Sequence, residues 1–391
     1  MSATSLPAAI ACLVLGLAIV LGVFSSILRT LVVPRGVPSR LSRGVLRTTM
    51  AVFRTAARRA GSYVGRDRVL AYAAPLSLIL TLLTWLALLF IGYALMLFAF
   101  STLSWASALR EAGSSLFTLG FASTDRGQLT ALDFLAALTG PLVVGLLVGY
   151  LPSIYGSYNR REVEVAMLHS RAGEPNWGPE LLARFSVVAT VEELPGLWIA
   201  WERWAADVSE SHVNYPVLTY VRSAQPMRNW LISLLAVMDS AAMDLALNPQ
   251  LSQGPARYAL REGFVAIRDI ARAEGLAAPD DPDPTQPIDV TPEEFARVCA
   301  MLASVGYPMA RTPQEAYPDF RGWRVNYERS AYALASLIDA VPAAWSGPRH
   351  PAQDTIYPRR PPNRTPGDPG ASKDKYPDPA GPGPDAPAPG N

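Results

Sequence analysis

Apolar residues in this chain come in blocks rather than at intervals. Segments 7–28, 69–100 and 130–151 each hold about 20 or more mostly apolar residues in succession, the length that crosses a hydrocarbon layer of roughly 30 Å as a helix. The second block exceeds one crossing, so it must tilt or protrude. From about 156 to 345 the polarity is mixed and apolar residues recur every three or four positions. That period predicts helices over 180–193, 197–210, 228–247, 256–275 and 292–304, punctuated by Pro195, Pro216, Pro226, Pro249 and Pro292. Thr291-Pro292-Glu293-Glu294 reads as a helix start, with Thr capping, Pro at the first position and Glu at the third. The acidic, Pro-rich stretch 278–290 reads as a linker or surface loop. From Ser346 to Asn391 the chain is dominated by Pro, Gly, Asp and Ala. Such a tail buries too little apolar area to offset ordering entropy and is expected to be disordered.

Residues 101–128 lie between the second and third blocks but are too short, small and polar to span a bilayer. Non-helical backbone at membrane depth is tolerated only where protein shields it or it lines a wet cavity. The segment therefore predicts a re-entrant helix and loop centred on Thr118-Leu119-Gly120-Phe121-Ala122. An extracellular hairpin joining two spans is the alternative, with its Gly and Ser as ordinary loop residues. Segment 230–247 is also apolar, but Asp239 and Asp244 lie inside it, each costing about 3 kcal/mol near a bilayer centre. It is expected to be a core helix. The expected fold is an all-α membrane protein with three transmembrane helices, a re-entrant segment, a helical cytoplasmic domain and a disordered Pro-rich tail. The divisions fall at 1–33, 34–68, 69–155, 156–345 and 346–391.

Half the residues are hydrophobic and 17% are charged, a low charged share for a soluble protein. The net charge of +1 conceals a local asymmetry. Arg29, Arg35, Arg40, Arg43, Arg47, Arg54, Arg58, Arg59, Arg66 and Arg68 follow the first block, with Asp67 the one acid among them. Clustered Arg beside a span stays in the cytoplasm, so the amino terminus is expected outside, 101–128 outside, and Arg160-Arg161 inside with the carboxyl terminus. Arg dominates the basic residues, Lys373 and Lys375 being the lysines, which fits a GC-rich bacterial source and hence the inner membrane. The first block has no Lys or Arg before it and exceeds the usual signal-peptide apolar stretch, favouring an uncleaved helix over a cleaved signal. Cys12 and Cys299 fall on opposite sides of this topology, so no disulfide is expected. Within 40–60, Arg40, Arg43, Arg47, Arg54 and Arg58 share an arc of about 60° at 100° per residue. Leu41, Val45, Val52, Phe53, Ala56 and Ala60 occupy the opposite arc. A helix lying in the inner interface on anionic headgroups fits this pattern; an ordinary solvated helix is the alternative.

A loop whose successive carbonyls gather on one axis replaces an ion's hydration shell and needs small residues, with Gly where φ is positive. The segment over 69–155 resembles the pore module of the potassium-channel superfamily. That family's filter reads Thr-Val-Gly-Tyr-Gly-Asp; here the aligned residues are Thr118-Leu119-Gly120-Phe121-Ala122-Ser123. Ala108-Leu109 and Ser115 match positions of its pore helix, and Gly127-Gln128 stands where the inner helix opens. The resemblance implies a homotetramer with Ser123 and Asp125 at the outer mouth and Gly140, Gly145 and Gly149 as hinge candidates. Close helix packing is the alternative role for those glycines. Ala122 replaces the second filter Gly, Ser123 the carboxylate that Asp125 partly restores, and Phe117 the first Thr. The implied function is passive conduction of a monovalent, potassium-like cation. The rival is a non-conducting scaffold or sensor that signals through the cytoplasmic domain. His169, His212 and His350 lie far apart, and no metal, cofactor, nucleotide or catalytic motif is present, so no enzyme activity and no cofactor are expected. Nucleic-acid binding is not expected either, since topology accounts for the arginines. The expected partners are the lipid bilayer, monovalent cations and further copies of the chain.

Overall fold

The computed structural model describes residues 6–33, 39–100, 104–122, 127–250, 253–349 and 352–359. Regular structure among them is helical, with isolated bridges pairing Glu174 with Arg359 and Ala343 with Ile356. The chain divides into two units, Met1–Gly61 with Arg68–Gly156 and Ser62–Asp67 with Ser157–Asn391. By length and composition, four helices could cross a membrane: Leu6–Val32, Tyr63–Phe100, Leu129–Ala172 and Trp230–Leu247.

In the first unit, α1 (Leu6–Ile27) ends in a π-helical turn over Leu28–Val32 and packs along α4 (Ala73–Phe100). Two glycines set their separation. A Cβ at Gly16 would lie 2.6 Å from the Gly92 carbonyl, and one at Gly92 would lie 2.8 Å from Val20. Small residues at such crossings let backbones approach closely where hydrophobic drive between helices is absent. Polar groups in this layer satisfy each other: the Trp85 indole donates to Ser26 at 2.9 Å, and the Ser26 and Ser39 hydroxyls lie 2.6 Å apart. Ser39 also caps α2 (Arg40–Ala57). That helix buries Ser42, Thr49, Met50 and Ala57 and packs against α4, while Val52 is exposed. Helix α3 (Tyr63–Leu70) precedes α4, α5 (Trp105–Leu116) follows it, and α6 (Gly127–Ala172) continues from the first unit into the second.

The second unit is built round α10 (Trp230–Leu247), all of whose residues are buried. Helices α7 (Gly178–Val187), α8 (Leu194–Asn214), α9 (Val217–Tyr220), α11 (Gly254–Ala273), α12 (Pro292–Ser304), α13 (Pro313–Arg324) and α14 (Glu328–Leu337) complete it. The two acids of α10 are satisfied by protein. Asp239 meets the fully buried Arg324 and accepts from the Tyr327 hydroxyl at 2.8 Å. Asp244 accepts from Tyr307 at 2.5 Å and from Asn248 at 3.0 Å. This unit uses α10 as its core.

The packing of this unit extends past 345, into residues that the sequence assigns to the Pro-rich tail. Ser346 and Arg349 are buried, and the Arg349 guanidinium donates to the carbonyls of Ala340, Val341, Ser346 and Gly347 at 2.8–2.9 Å. Five donors in one fork let a single side chain organise a whole turn of Pro- and Gly-containing backbone. The packed chain thus continues to Arg359, which pairs with Glu174. Residues 360–391, the rest of the expected disordered tail, lie outside the described residues. Within the basic segment 34–68, the residues Ser62–Asp67 group with the second unit.

Candidate functional site

Helix α5 begins at a Ser104 cap whose side chain accepts from the Ser107 N–H at 3.2 Å. It packs Ala108, Ala112 and Leu116 into the buried layer with α4. Its first residue, Trp105, meets Phe98 edge-on at 5.7 Å, near the end of α4. At its other end, Phe117 lies 6.4 Å from Phe90, ten residues back from the end of α4 and so about 15 Å along that helix. On α6, a Cβ at Gly140 would lie 2.0 Å from the Leu116 carbonyl oxygen. Gly140 is thirteen residues into α6, about 20 Å from its start. The Ser115 hydroxyl donates to Asp133 of α6 at 2.6 Å, and Tyr93 of α4 and Thr139 of α6 share a hydrogen bond at 2.8 Å.

The chain leaves α5 through a Schellman arrangement. Thr118 adopts φ 56°, its N–H donates to Ser115 at 3.0 Å, and the Leu119 N–H donates back to the Ser114 carbonyl at 2.8 Å. Such ends usually use Gly at the left-handed position; here Thr takes it. Gly120 follows with φ 69° and open space around its Cα. Its N–H also reaches the Ser114 carbonyl, at 3.4 Å, and the Ala122 N–H donates to the Ser114 hydroxyl at 3.0 Å. One buried serine therefore gathers three loop N–H groups.

The consequence for the carbonyls is geometric. In a trans peptide the C=O points opposite to the N–H of the same plane. The carbonyls of Thr118, Leu119 and Phe121 are therefore turned away from α5, and none accepts a hydrogen bond among the described residues. They lie beyond the carbonyl end of a helix, which adds partial negative charge within its last turn. Leu119 is 61% and Phe121 55% exposed within one chain, and the Arg110 guanidinium sits 5.5 Å from the Phe121 ring centroid.

The expected filter residues Thr118 to Ala122 thus form one short loop on the end of α5. Ser123 and Asp125, expected at the outer mouth, lie outside the described residues. The three hinge candidates separate: Gly140 is buried at the close approach to Leu116, whereas a Cβ at Gly145 or Gly149 would meet nothing within 4 Å. Sequence reasoning passed over Ser114, Asp133, and the two prolines inside α6, Pro141 and Pro152. Each proline removes a helical N–H and frees the carbonyl four residues earlier, which makes them stronger signals for a bend than the glycines. Asp133 was also legible, because an acid within a helix apolar enough to cross a membrane is a functional candidate by default.

Among the described residues no group of three or more His, Cys, Asp or Glu is arranged to hold a metal ion. No protein-family model, curated protein or solved structure matches the chain.

Proposed function

We propose that this chain is a subunit of a membrane pore that passes monovalent cations passively, assembled as a homotetramer around the loop after α5. The observation that carries the reading is Ser114: by collecting the N–H groups of Leu119, Gly120 and Ala122, it leaves three carbonyl oxygens turned away from α5 and without a hydrogen bond among the described residues. Carbonyl oxygens replace the water of a cation and repel an anion, and the carbonyl end of α5 adds to that preference. Leu119 and Phe121 then pack against neighbouring copies, which also offer the oxygens needed to complete a ring. α1, α4 and α6 are the spans in this reading, α5 is re-entrant, and α10 stays in the second unit. The arginines of α2 and of the 160–161 pair put the amino terminus outside and the second unit in the cytoplasm of a bacterial cell.

The test is cation flux into liposomes holding the purified full-length chain, with Gly120→Asp as the comparison. Gly120 has open space and left-handed φ, and Asp tolerates that conformation better than most residues, so the variant is expected to fold. The reading expects flux in the wild type, its loss in the variant, and a fourfold cross-linking ladder in native membrane. A silent wild type that still forms oligomers would transfer the protein to the scaffold or sensor reading.

A further inference from the structure

The division of the chain places the residues that flank the 68–156 segment on either side, Ser62–Asp67 and Ser157 onward, in the second unit. The entering end is α3. Its Asp67 carboxylate pairs with Arg222, Tyr63 accepts from the same guanidinium at 3.3 Å, and Arg66 pairs with Asp339 at 2.6 Å. The leaving end is the continuation of α6. There Arg161, fully buried, donates to the carbonyls of Leu218 at 2.9 Å and Val221 at 2.8 Å, and Tyr158 donates to the Arg222 carbonyl at 3.4 Å. The five residues 218–222 thus hold both ends, the carbonyls taking α6 and the Arg222 side chain taking α3.

That turn is itself fixed. Arg222 donates to the carbonyls of Ile338 at 2.8 Å and Asp339 at 3.0 Å. The Arg161 guanidinium also meets His212 at 3.1 Å and Glu162 at 2.8 Å. Burial first, and then the neighbouring Arg161, hold His212 well below its ordinary value, so its neutral ring nitrogen accepts from the guanidinium. Charge-assisted bonds between desolvated partners are the ones most costly to break singly. Asp67 and Arg222 lie 155 residues apart, so the link is tertiary and not a property of either helix.

We infer that the Leu218–Arg222 turn is a mechanical clamp, tying the outer helix α4, through α3, to the inner helix α6, so that the second unit sets the spacing of the two helix ends that bracket the pore segment. As a regulator of conduction this rests on the pore reading above; as a clamp it does not. Any change that frees Arg222 releases both ends together, since the side chain and the carbonyls of one turn move as a unit.

Hydrogen–deuterium exchange on the full-length chain in lipid nanodiscs tests it. Arg222→Ala is expected to speed amide exchange about tenfold or more in both 63–70 and 157–165, the loss expected for charge-assisted bonds. The reciprocal variant Arg161→Gln is expected to loosen 63–70 as well as its own helix, although the bonds it removes go to Glu162, His212, Leu218 and Val221 and not to α3. Asp67→Asn, which keeps the shape of the pair, guards against general unfolding: α10 must stay protected while 63–70 loosens. Loosening confined to the mutated side in both Arg222→Ala and Arg161→Gln overturns the clamp. In the liposome assay, a conducting wild type whose Arg222→Ala flux stays within about twofold overturns the regulatory role. A silent wild type overturns the conduction reading, and the exchange result alone then decides the clamp.

Discussion

Gly140→Ala isolates the packing that sets the end of α5 against α6. A Cβ there would sit 2.0 Å from the Leu116 carbonyl oxygen and 3.1 Å from its carbon. Unstrained carbon–oxygen contacts begin a little beyond 3 Å, so the two helices must separate by about 1 Å or the end of α5 must unwind. Neither is easy. Leu116 is buried and Ser115 is held to Asp133 at 2.6 Å, and the clashing atom is backbone rather than the end of a flexible side chain. Overpacking of this kind costs about 1–3 kcal/mol, and the rigid partner puts this site at the upper end. Gly145→Ala is the control, because a Cβ there meets nothing within 4 Å and Ala gains up to about 1 kcal/mol of helix propensity over Gly. Denaturation of both full-length variants in detergent micelles, followed by circular dichroism, gives the comparison. Gly140→Ala should melt earlier than wild type and Gly145→Ala should not. Equal stability of all three proteins would mean that α5 does not end against α6, and the loop proposed as the ion path would lose its support.

Two further outcomes concern the second unit. Asp239→Ala strips the buried Arg324 of a carboxylate and leaves it with Glu328; breaking a buried pair from one side should cost about 3–5 kcal/mol in denaturant unfolding, and a loss below about 1 kcal/mol refutes it. Asp244 has its carboxyl raised above the usual range by burial, against the lowering effect of Tyr307 and Asn248. A carboxyl whose folded value exceeds its unfolded one contributes stability below the unfolded value and loses it as pH rises through the folded one. Asp244→Asn should therefore raise the melting temperature near pH 7 and lose that advantage on acidification to about pH 4; a gain unchanged with pH would sink the assignment.

The long apolar helices were legible because about 20 consecutive apolar residues have few other uses; α10 shares that length and composition, and its two acids and full burial set it apart from the others. The second unit was legible where helix period was strong: 197–210, 228–247, 256–275 and 292–304 fall on α8, α10, α11 and α12. Segment 180–193 instead splits at Ala189, with φ 57°, into α7 and a short 3-10 turn over Val191–Glu193. Helices α13 and α14 were missed, although Thr312-Pro313-Gln314-Glu315 repeats the capping pattern found at Thr291 and forms the same reciprocal box. The Asp67–Arg222 pair and the docking of Ser62–Asp67 were not legible. One sequence gives no pairing information across 155 residues, and membrane topology already supplied a sufficient reason for the arginines.

The loop after α5 also recasts the sequence departures that stood against a filter. Ala122 in place of Gly matters only if position 122 must be left-handed, a conformation that costs a non-Gly residue roughly 1–2 kcal/mol. Among the described residues of the loop, the left-handed positions are Thr118 and Gly120. Ala122 needs only to offer its N–H to Ser114, which any residue but Pro can do. The strain falls on Thr118, where the Schellman bonds to Ser114 and Ser115 hold it. The Gly missing at 122 is therefore no argument against an oxygen-lined loop in this chain. It argues for a loop whose conformation is set by the helix end and one serine, with the oxygens of 118, 119 and 121 turned away from α5. In the proposed pore, cation preference would then follow from the geometry of those oxygens and not from the family that the segment resembles.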